Sequence, residues 1–467
     1  MKRLLGLALL IVMSGAAFAQ KGYRINMNLN GYSENTLLLT SYYGNKIRLI
    51  DTAKADKPGI FVFEGKVPLT GGIYIIVSQT KKRLFELIVN KNQHFTLTTD
   101  TVDYSMDMKV TGSKENTLFF NYLKTNQKFF KQTNKLDKEL KAASKESASY
   151  KTIKQKMNSL NKADEKEKQE LIKANPKTFF ATLLQAMQDV KVPENPNPSD
   201  SLFGYHFTRN HYWDSFDLSD PRLLRTPLYD RKINYYFKYL VPLQPDSVDQ
   251  AIDYVVSKSK SCKECMSYLV WKFTVDYQNP KYMGFDKVFV HLVDQYFTKD
   301  SIENTSPSIL NMLKKQADEL RPLLLGKPAP DLVLMDTSGQ YIGFRSLHHR
   351  FVLLLFWNYK CSVCKMEIAA LKPFYKQYAK KYDLEVYAIN INPDLANWKK
   401  AVRDRQLHWI NVNGTRSIKG DYTKSYDIHG TPQFFLLNRE GDIIAKDFSV
   451  NQLKMILDDY MKRYDSK

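Results

Sequence analysis

Residues 356–367 of this chain read FWNYKCSVCKME, in which Cys361 and Cys364 form a Cys-x-x-Cys motif. The apolar run Phe351–Trp357 predicts a buried strand that leads into this motif, and the residues after Cys361 have the periodicity of a helix. Further along the chain, Gly430-Thr431-Pro432 precedes a second apolar strand. A Cys-x-x-Cys motif alone is ambiguous, but this order of elements is typical of a thiol–disulfide site.

The two cysteines carry the predicted chemistry. Thiol–disulfide exchange needs a thiolate that attacks and a second thiol that resolves the mixed disulfide. Their spacing on a first helical turn places both sulfurs on one face, and the positive end of the helix lowers the pKa of the first thiol. Lys360 adds a nearby cation. We therefore expect Cys361 to attack and Cys364 to resolve, with Glu367 on the same face as the proton carrier for Cys364.

The Thr431-Pro432 pair predicts a rigid turn ahead of the second strand. If its peptide bond is cis, the turn lies beside the cysteines and offers the backbone of Thr431 to an extended client strand. The residues alone do not fix the isomer. We therefore expect Thr431 and Pro432 to bind substrate. The sequence leaves the isomer of their peptide bond open.

Three other interpretations of the motif compete with redox catalysis. A zinc ribbon needs a second cysteine pair at close spacing, and Cys265 is too far from Cys361 along the chain. A peroxidatic site would have a proline and a threonine or serine ahead of its cysteine, which residues 358–360 do not provide. A purely structural disulfide stays open, because an exported protein meets an oxidising environment. The preceding strand and the later Thr-Pro turn favour catalysis.

The first residues have the pattern of an export signal. Lys2 and Arg3 precede the apolar run Leu4–Val12, and Ala17-Phe18-Ala19 has the small-x-small pattern of a cleavage site. The apolar run is too short for a membrane anchor, and there is no cysteine at the cleavage point for lipid attachment. We therefore expect residues 1–19 to be a signal peptide and the mature protein to be soluble in a bacterial periplasm.

Length and charge restrict the other possibilities. A chain of 467 residues is too long for one core, so we expect several domains. The formal net charge of +20 would suggest nucleic-acid binding in a cytosolic protein, but export argues against that partner. Loose association with anionic envelope polymers or acidic clients stays open, and a well-solvated basic surface explains the same charge.

The pattern along the chain changes twice. Residues 20–112 contain many short alternating strands without helices and predict an all-β, sandwich-like domain. Residues 113–325 have helical periodicity and predict an all-α domain, with a solvated helical hairpin in residues 136–175 and a helix that starts at Ser306. Residues 326–467 alternate strands with helices and predict an α/β domain. The fold class is therefore multidomain: β, then α, then α/β.

A second Cys-x-x-Cys motif lies in the helical part, at Cys262 and Cys265. Its position at a predicted helix start would help to form a thiolate, so the pair is a candidate relay for electrons to the first motif. No thioredoxin-type strand or Thr-Pro turn accompanies it, and we expect a structural disulfide or two packed thiols instead. The histidines show no metal-ligand spacing apart from the adjacent His348-His349, so we expect no metal site.

From about Gly326 to Tyr464 the chain resembles the thioredoxin-like fold, specifically the TlpA/ResA-like exported thiol–disulfide oxidoreductases. The residues that carry the resemblance are Trp357, Cys361, Cys364, Glu367, Gly430-Thr431-Pro432, the hairpin Asn438-Arg439-Glu440-Gly441 and the leading Gly326-Lys327-Pro328-Ala329-Pro330-Asp331. The β-rich and helical parts resemble uncharacterised domains that are joined to such modules. Only the last third of the chain therefore brings a known chemistry.

The sequence also departs from this family. Leu355 stands where thioredoxin has a buried aspartate, so proton handling shifts to Glu367. Ala369 stands where family members commonly have a proline, and the residues between the cysteines are Ser362 and Val363. Because that dipeptide helps to set the redox potential, reductase, oxidase and isomerase activities all stay open.

The resemblance implies a thiol–disulfide oxidoreductase that acts on client proteins, most simply as a reductase. Trp357 is expected to shape the client groove together with Thr431 and Pro432. The chain has no cofactor motif, so we expect no cofactor besides the redox-active disulfide Cys361–Cys364. A membrane thiol electron donor would have to regenerate the dithiol. The alternative is a non-enzymatic envelope binding protein in which the last domain is a scaffold. The sequence does not determine the oligomeric state.

Overall fold

A computed structural model describes residues 22–298, 302–303 and 305–464. The chain divides into two compact units, Met1–Leu240 and Val241–Lys467. The boundary between the units falls inside the predicted helical domain, whose limits stay predictions. The predicted signal peptide, residues 1–19, lies outside the described residues. Among the helices of the described ranges, none combines the length and apolar character needed to cross a membrane.

The described part of the first unit begins with two four-stranded sheets. Their strands are β1 (Tyr23–Asn30), β2 (Thr36–Tyr43), β3 (Lys46–Lys54), β4 (Ile60–Gly65), β5 (Gly72–Ser78), β6 (Arg83–Val89), β7 (His94–Asp100) and β8 (Lys109–Thr111). The strand orders are β4-β1-β7-β8 and β3-β2-β5-β6. Alternation decides which face is buried, since Ile25, Met27 and Leu29 of β1 are all in the core. The predicted β-rich start of the chain is confirmed.

Helices complete the first unit. They are α1 (Lys114–Ala142), α2 (Ala148–Ala174), α3 (Phe179–Ala186), α4 (Phe203–His211), α5 (Pro221–Leu224) and α6 (Pro227–Tyr235), followed by a π turn at Tyr236–Leu240. Ser113 caps α1 by accepting the N–H of Asn116 at 3.2 Å. No residue of α2 is buried among those described, which matches the predicted solvated hairpin.

The second unit begins with further helices. They are α7 (Pro245–Ser259), α8 (Lys263–Gln278), α9 (Asp286–Tyr296) and α10 (Pro307–Leu320). Ser306 caps α10 by accepting the N–H of Ile309 at 3.3 Å, as its position before Pro307 predicts. The predicted helical middle of the chain is therefore confirmed, although it is divided between the two units.

The rest of the second unit is a mixed α/β domain. Its strands are β9 (Val333–Asp336), β10 (Tyr341–Gly343), β11 (Phe351–Trp357), β12 (Leu384–Asn390), β13 (Ile410–Lys419), β14 (Gln433–Leu437) and β15 (Ile443–Lys446). Its helices are α11 (Ser362–Tyr382), α12 (Leu395–Asp404), α13 (Tyr422–Ser425) and α14 (Val450–Tyr464). The described strands form one sheet in the order β10-β9-β13-β12-β11-β14-β15, in which β11 runs parallel to β12 and antiparallel to β14.

Strand β11 determines where the active-site helix packs. All of its residues are buried, and because side chains alternate between the faces of a strand, it contributes to two cores. Leu353, Leu355 and Trp357 share one core with Ile368 and Leu371 of α11. These apolar residues of α11 therefore hold the helix against the sheet, and the loop after β11 presents the Cys-x-x-Cys motif at the end of the strand.

Candidate active site

The Cys-x-x-Cys motif occupies the start of α11. Cys361 is the N-cap residue, and its Sγ accepts the backbone N–H of Cys364 at 3.1 Å. The first turn of a helix has N–H groups without intrahelical partners, and their partial positive charge favours an anion at this position. The structure therefore places the two cysteines at the first turn of a helix, as predicted.

The two thiols are both free, and they differ in how deeply they are buried. Cys361 is partly exposed, whereas Cys364 is 0% exposed and belongs to the core of the domain. Burial acts to raise the pKa of Cys361, but hydrogen bonds from the Cys364 thiol and from backbone N–H groups of the helix outweigh it and lower the pKa. Burial raises the pKa of Cys364 to about 11. Cys361 is therefore the thiol that ionises more easily and that solvent reaches.

The Thr431–Pro432 turn lies beside Cys361. Its peptide bond is cis, which the residues alone left open. The thiol of Cys361 donates a hydrogen bond to the Thr431 carbonyl oxygen, with 3.2 Å between sulfur and oxygen. Pairing of β14 with β11, in which Gln433 lies opposite Phe356, brings this turn to the motif from 70 residues away in sequence. The two segments predicted to form one site do so.

An open groove of about 670 Å³ runs beside this turn. Val363, the turn residues Gly430-Thr431-Pro432 and the start of β14 contribute to its walls. Its charged lining residues are the acids Glu367, Asp427 and Asp447, with no lysine or arginine among the lining residues. His429 also lines the groove, and its Nε2 lies 2.7 Å from Asp427 Oδ1. Thr431, whose carbonyl oxygen accepts from the Cys361 thiol, thus shares this groove with the acidic residues.

Glu367 makes a contact that the sequence did not predict. Its Oε2 accepts the backbone N–H of Val450, the first residue of α14, at 2.8 Å. A carboxylate at this position both satisfies a free N–H group and interacts favourably with the positive end of the helix. The groups that influence the pKa of Cys364 besides burial are the Asn358 backbone, Cys361 and Thr431. Proton transfer by Glu367 therefore stays a proposal beside this structural role.

We expect Glu367→Ala to lower the free energy of unfolding by about 1 kcal/mol, because the N–H of Val450 loses its acceptor. Glu367→Gln keeps an acceptor and is expected to cost less. Urea denaturation of both variants measures these costs. If Glu367 also carries protons for Cys364, both variants shift the pH dependence of disulfide reduction. An unchanged pH dependence in both would contradict the proton-carrier role.

Trp357 and Leu355 lie below the surface of the site. Trp357 is fully buried in the same core as Cys364 and is not among the residues that line the groove. Any influence of Trp357 on the groove passes through its packing, and its role in client binding stays a proposal. Leu355 is also fully buried in that core. The position of thioredoxin's buried acid is thus wholly apolar in this chain.

Two acidic residues of the groove, Asp427 and Asp447, were missed by sequence reasoning. Asp447 follows β15, and its N–H donates to the Phe434 carbonyl of β14 at 3.2 Å, while Gln433 Nε2 lies 3.1 Å from its Oδ1. The only signal in the sequence is an aspartate directly after a strand. Its relevance depends on the pairing of β14 with β15, which places Asp447 beside the Thr-Pro turn.

The second motif differs in state from the first. Cys262 and Cys265 form a disulfide with a Cα–Cα distance of 5.2 Å, at the start of α8. Cys262 caps α8 as Cys361 caps α11, and Cys265 is buried. The pair is one of the two outcomes that the sequence analysis expected, and a role in electron transfer stays untested. In the described part of the chain, no group of three or more His, Cys, Asp or Glu residues is arranged to hold a metal ion.

Alkylation of the reduced protein tests the difference between the two active-site thiols. Because iodoacetamide reacts with thiolates, the rate at Cys361 is expected to rise with pH through a midpoint below that of an ordinary cysteine. Cys364 is expected to stay unreactive until the pH approaches 11. Peptide mass mapping assigns the modified site and separates it from Cys262 and Cys265. Equal midpoints for Cys361 and Cys364 would contradict the assignment.

Models of known families match three segments of the chain. Residues 23–119 match a domain of unknown function (DUF4369), residues 145–317 match another (DUF5106), and residues 325–446 match the AhpC/TSA family. The last match covers the domain that contains the Cys-x-x-Cys motif. Residues 358–360 still lack the proline and the threonine or serine that a peroxidatic cysteine requires.

Individual proteins are similar to the last part of the chain. The thiol-disulfide oxidoreductase ResA of Bacillus subtilis is 29% identical over 137 residues, which are 29% of this chain and 73% of ResA. The thioredoxin-like protein YneN of the same species is 37% identical over 118 residues, 25% of this chain and 68% of YneN. A thiol-disulfide oxidoreductase structure from Bacteroides fragilis is 28% identical, covers 29% of this chain and 99% of its own, and has a TM-score of 0.26.

A mixed sheet with a Cys-x-x-Cys pair at a helix start, opposite a Thr-Pro turn, defines the class of thioredoxin-like thiol–disulfide oxidoreductases. The sequence relatives carry the same class in their names. This chain belongs to the thioredoxin family and is of the ResA/TlpA-like type, with two additional domains of unknown function ahead of the thioredoxin-like domain.

Proposed function

We propose that this protein reduces disulfide bonds of client proteins in the periplasm. One observation supports this function above the others: the accessible Cys361 has a lowered pKa, whereas the buried Cys364 has a raised pKa. This difference suits one thiol for attack and keeps the other protonated until it is needed.

The proposed reaction has two steps. The Cys361 thiolate attacks one sulfur of the client disulfide, the client S–S bond breaks, and the released client thiolate takes a proton. Cys364 then loses its proton and attacks Sγ of Cys361, which frees the second client thiol and forms the Cys361–Cys364 disulfide. The client gains two electrons and two protons, and the enzyme loses them. The Thr431 carbonyl, within hydrogen-bond distance of Cys361, is suited to pair with the client backbone.

The proposal also covers where the protein acts and what reduces its disulfide after each cycle. The pattern of residues 1–19 supports export with cleavage near Ala19. Because the proposed cycle leaves Cys361 and Cys364 oxidised, a membrane thiol electron donor must return them to the dithiol form. No further cofactor is needed, and no nucleic acid takes part. The β-rich and helical parts would recruit clients or mediate assembly.

Insulin reduction tests the enzyme proposal. The wild-type protein is expected to accelerate insulin precipitation with a thiol reductant, and Cys361→Ser is expected to lose that acceleration. A Cys262→Ser/Cys265→Ser variant serves as the matched control, because it removes the other pair and is expected to keep the activity. Equal activity of wild type and Cys361→Ser would contradict the enzyme function and would favour the non-enzymatic binding protein.

The direction of the reaction needs a separate measurement. The redox potential of the Cys361–Cys364 pair, titrated against glutathione or dithiothreitol, is expected to lie nearer to thioredoxin at about −270 mV than to the oxidant DsbA at about −120 mV. A value near that of DsbA would overturn the reductase assignment and leave the thiol–disulfide chemistry intact.

A further inference from the structure

One helix holds Tyr359, which lies in the loop just ahead of Cys361, by both its side chain and its backbone. The Tyr359 hydroxyl donates to Asp394 Oδ2 at 3.1 Å, and Arg405 Nη2 donates to the Tyr359 carbonyl oxygen at 3.3 Å. Asp394 is the N-cap residue of α12, and Arg405 is its C-cap residue. The two ends of α12 therefore fix the position of this tyrosine.

Helix α12 is itself attached to the core of the active site. Its Trp398 is fully buried in the same core as Cys364. The Nζ of Lys372 in α11 donates to the Arg405 carbonyl oxygen at 2.6 Å, so the end of α12 is bonded to the helix that carries the cysteines. The guanidinium carbon of Arg405 also lies 5.8 Å from the centre of the Trp357 ring. The helix that holds the loop therefore packs against the same core as the resolving thiol.

The loop 358–360 connects Tyr359 to the backbone of the motif. The Asn358 carbonyl oxygen accepts the N–H of Cys361 at 3.0 Å, and the Asn358 side-chain Oδ1 accepts the N–H of Lys360 at 3.0 Å. Asn358 thus closes the loop on both sides of Tyr359. A change in the position of the tyrosine would therefore be passed to Asn358 through the peptide bond between them.

The two thiols depend on this loop to different extents. Burial raises the pKa of Cys364 to about 11, and among the groups that act against burial the backbone N–H of Asn358 has the largest effect. Burial also acts to raise the pKa of Cys361, but the hydrogen bonds that lower it come from the Cys364 thiol and from N–H groups at the start of α11. Displacement of Asn358 would therefore destabilise the Cys364 thiolate more than the Cys361 thiolate.

The resolving step is the one that needs this positioning. Cys364 must lose its proton inside an apolar core, in which Leu355 stands in place of thioredoxin's buried acid. Glu367 is bonded to the N–H of Val450. An anion that water does not solvate needs N–H donors at fixed positions, and a hydrogen bond weakens steeply when its geometry is lost. The position of the Asn358 N–H therefore affects how readily Cys364 attacks.

We propose that Arg405 is a positioning residue for the resolving step, in which it holds Tyr359 so that the neighbouring N–H of Asn358 stays directed at the attacking sulfur. This inference rests on the proposed function and concerns its second step. Arg405 acts on the backbone of the loop, whereas Asp394 assists by holding the tyrosine hydroxyl. Removal of Arg405 is therefore expected to have the larger effect of the two.

Stopped-flow reaction of the reduced protein with equimolar dithiobis(nitrobenzoate) separates the two steps. The full-length chain carries Cys262→Ser/Cys265→Ser, so that Cys361 and Cys364 are its only thiols. The Cys361 thiolate attacks the reagent disulfide and releases a first thionitrobenzoate anion. Cys364 then loses its proton, attacks Sγ of Cys361 and releases a second anion. Because each anion is coloured, the absorbance gives the rate of attack and the rate of resolution in one experiment.

Arg405→Met is expected to slow the second release about 5- to 10-fold near neutral pH and to move its pH profile to higher pH, while the first release changes less than about twofold. Tyr359→Phe loses only the bond to Asp394 and is expected to slow the second release about twofold. Arg405→Lys keeps a donor and is expected to recover most of the rate. Arg403→Met is the matched control, because it removes an exposed arginine from the same helix and is expected to leave both releases unchanged.

The outcomes distinguish failure of this role from failure of the enzyme function. Circular dichroism checks that each variant is folded. If Arg405→Met slows both releases equally or slows neither, or if Arg403→Met slows the second release as much, the positioning role is overturned and the proposed function stands. If the second release depends on Arg405 as expected but the wild-type protein does not reduce insulin, the reduction of clients fails and the positioning role holds.

Discussion

Replacing Lys446 with methionine is expected to lower the free energy of unfolding by about 3–5 kcal/mol. The variant would leave Asp286 buried in the second unit without its cation, since Lys446 is the partner of its Oδ2. A buried charge without a partner is far more costly than a lost surface pair, because the remaining carboxylate cannot regain its hydration. Urea denaturation followed by tryptophan fluorescence gives the free energy.

Two comparisons show whether burial of the charge causes this loss. Asp286→Leu/Lys446→Met replaces both charges with apolar groups and is expected to recover most of the stability, apart from about 0.3–1 kcal/mol for the favourable charge at the start of α9. Lys454→Met removes one partner of the exposed pair with Asp458 and is expected to cost less than about 1 kcal/mol. A Lys446→Met variant that is no less stable than Lys454→Met would contradict the argument.

The features that sequence predicted well are local ones. The apolar run Phe351–Trp357 predicts a buried strand, and a cysteine at the following helix start experiences the helix N-terminus wherever the helix lies. Ser306 before Pro307 likewise determines the start of α10 without help from distant residues. Strand β3 shows the limit: Lys46–Lys54 is exposed along most of its length, so no buried face marks its bounds in the sequence.

The rest of the site depends on pairings between distant segments. Glu367 looks like a proton carrier in the sequence because it lies one helical turn after Cys364, but its hydrogen bond goes to Val450, 83 residues away. Trp357 looks like a surface residue of the site because it adjoins the motif, but strand alternation points it into the core. The partners Asp286 and Lys446 are 160 residues apart, and no spacing rule connects them.

The resolving role of Cys364 leads to the other large expected effect. A Cys364→Ser variant is expected to stop at the mixed disulfide between Cys361 and a client, because the second attack needs the Cys364 sulfur. Incubation with an oxidised, unfolded client should convert most of the variant to a covalent adduct that is seen on non-reducing gels and is cleaved by dithiothreitol. Multiple turnover should fall to the level of the added reductant alone. Mass spectrometry identifies the sulfur that carries the client.

The variant Cys361→Ser shows which of the two cysteines attacks the client. Cys361→Ser leaves only Cys364, which is 0% exposed and has its pKa raised to about 11 by burial, so it neither meets a client nor ionises near neutral pH. We therefore expect no adduct from Cys361→Ser under the conditions in which Cys364→Ser is trapped. An adduct on Cys364, or equal trapping by both variants, would show that burial does not protect the second thiol during the reaction. The difference in exposure and pKa between the cysteines would then not determine which one attacks, and the order of the two steps proposed above would be wrong.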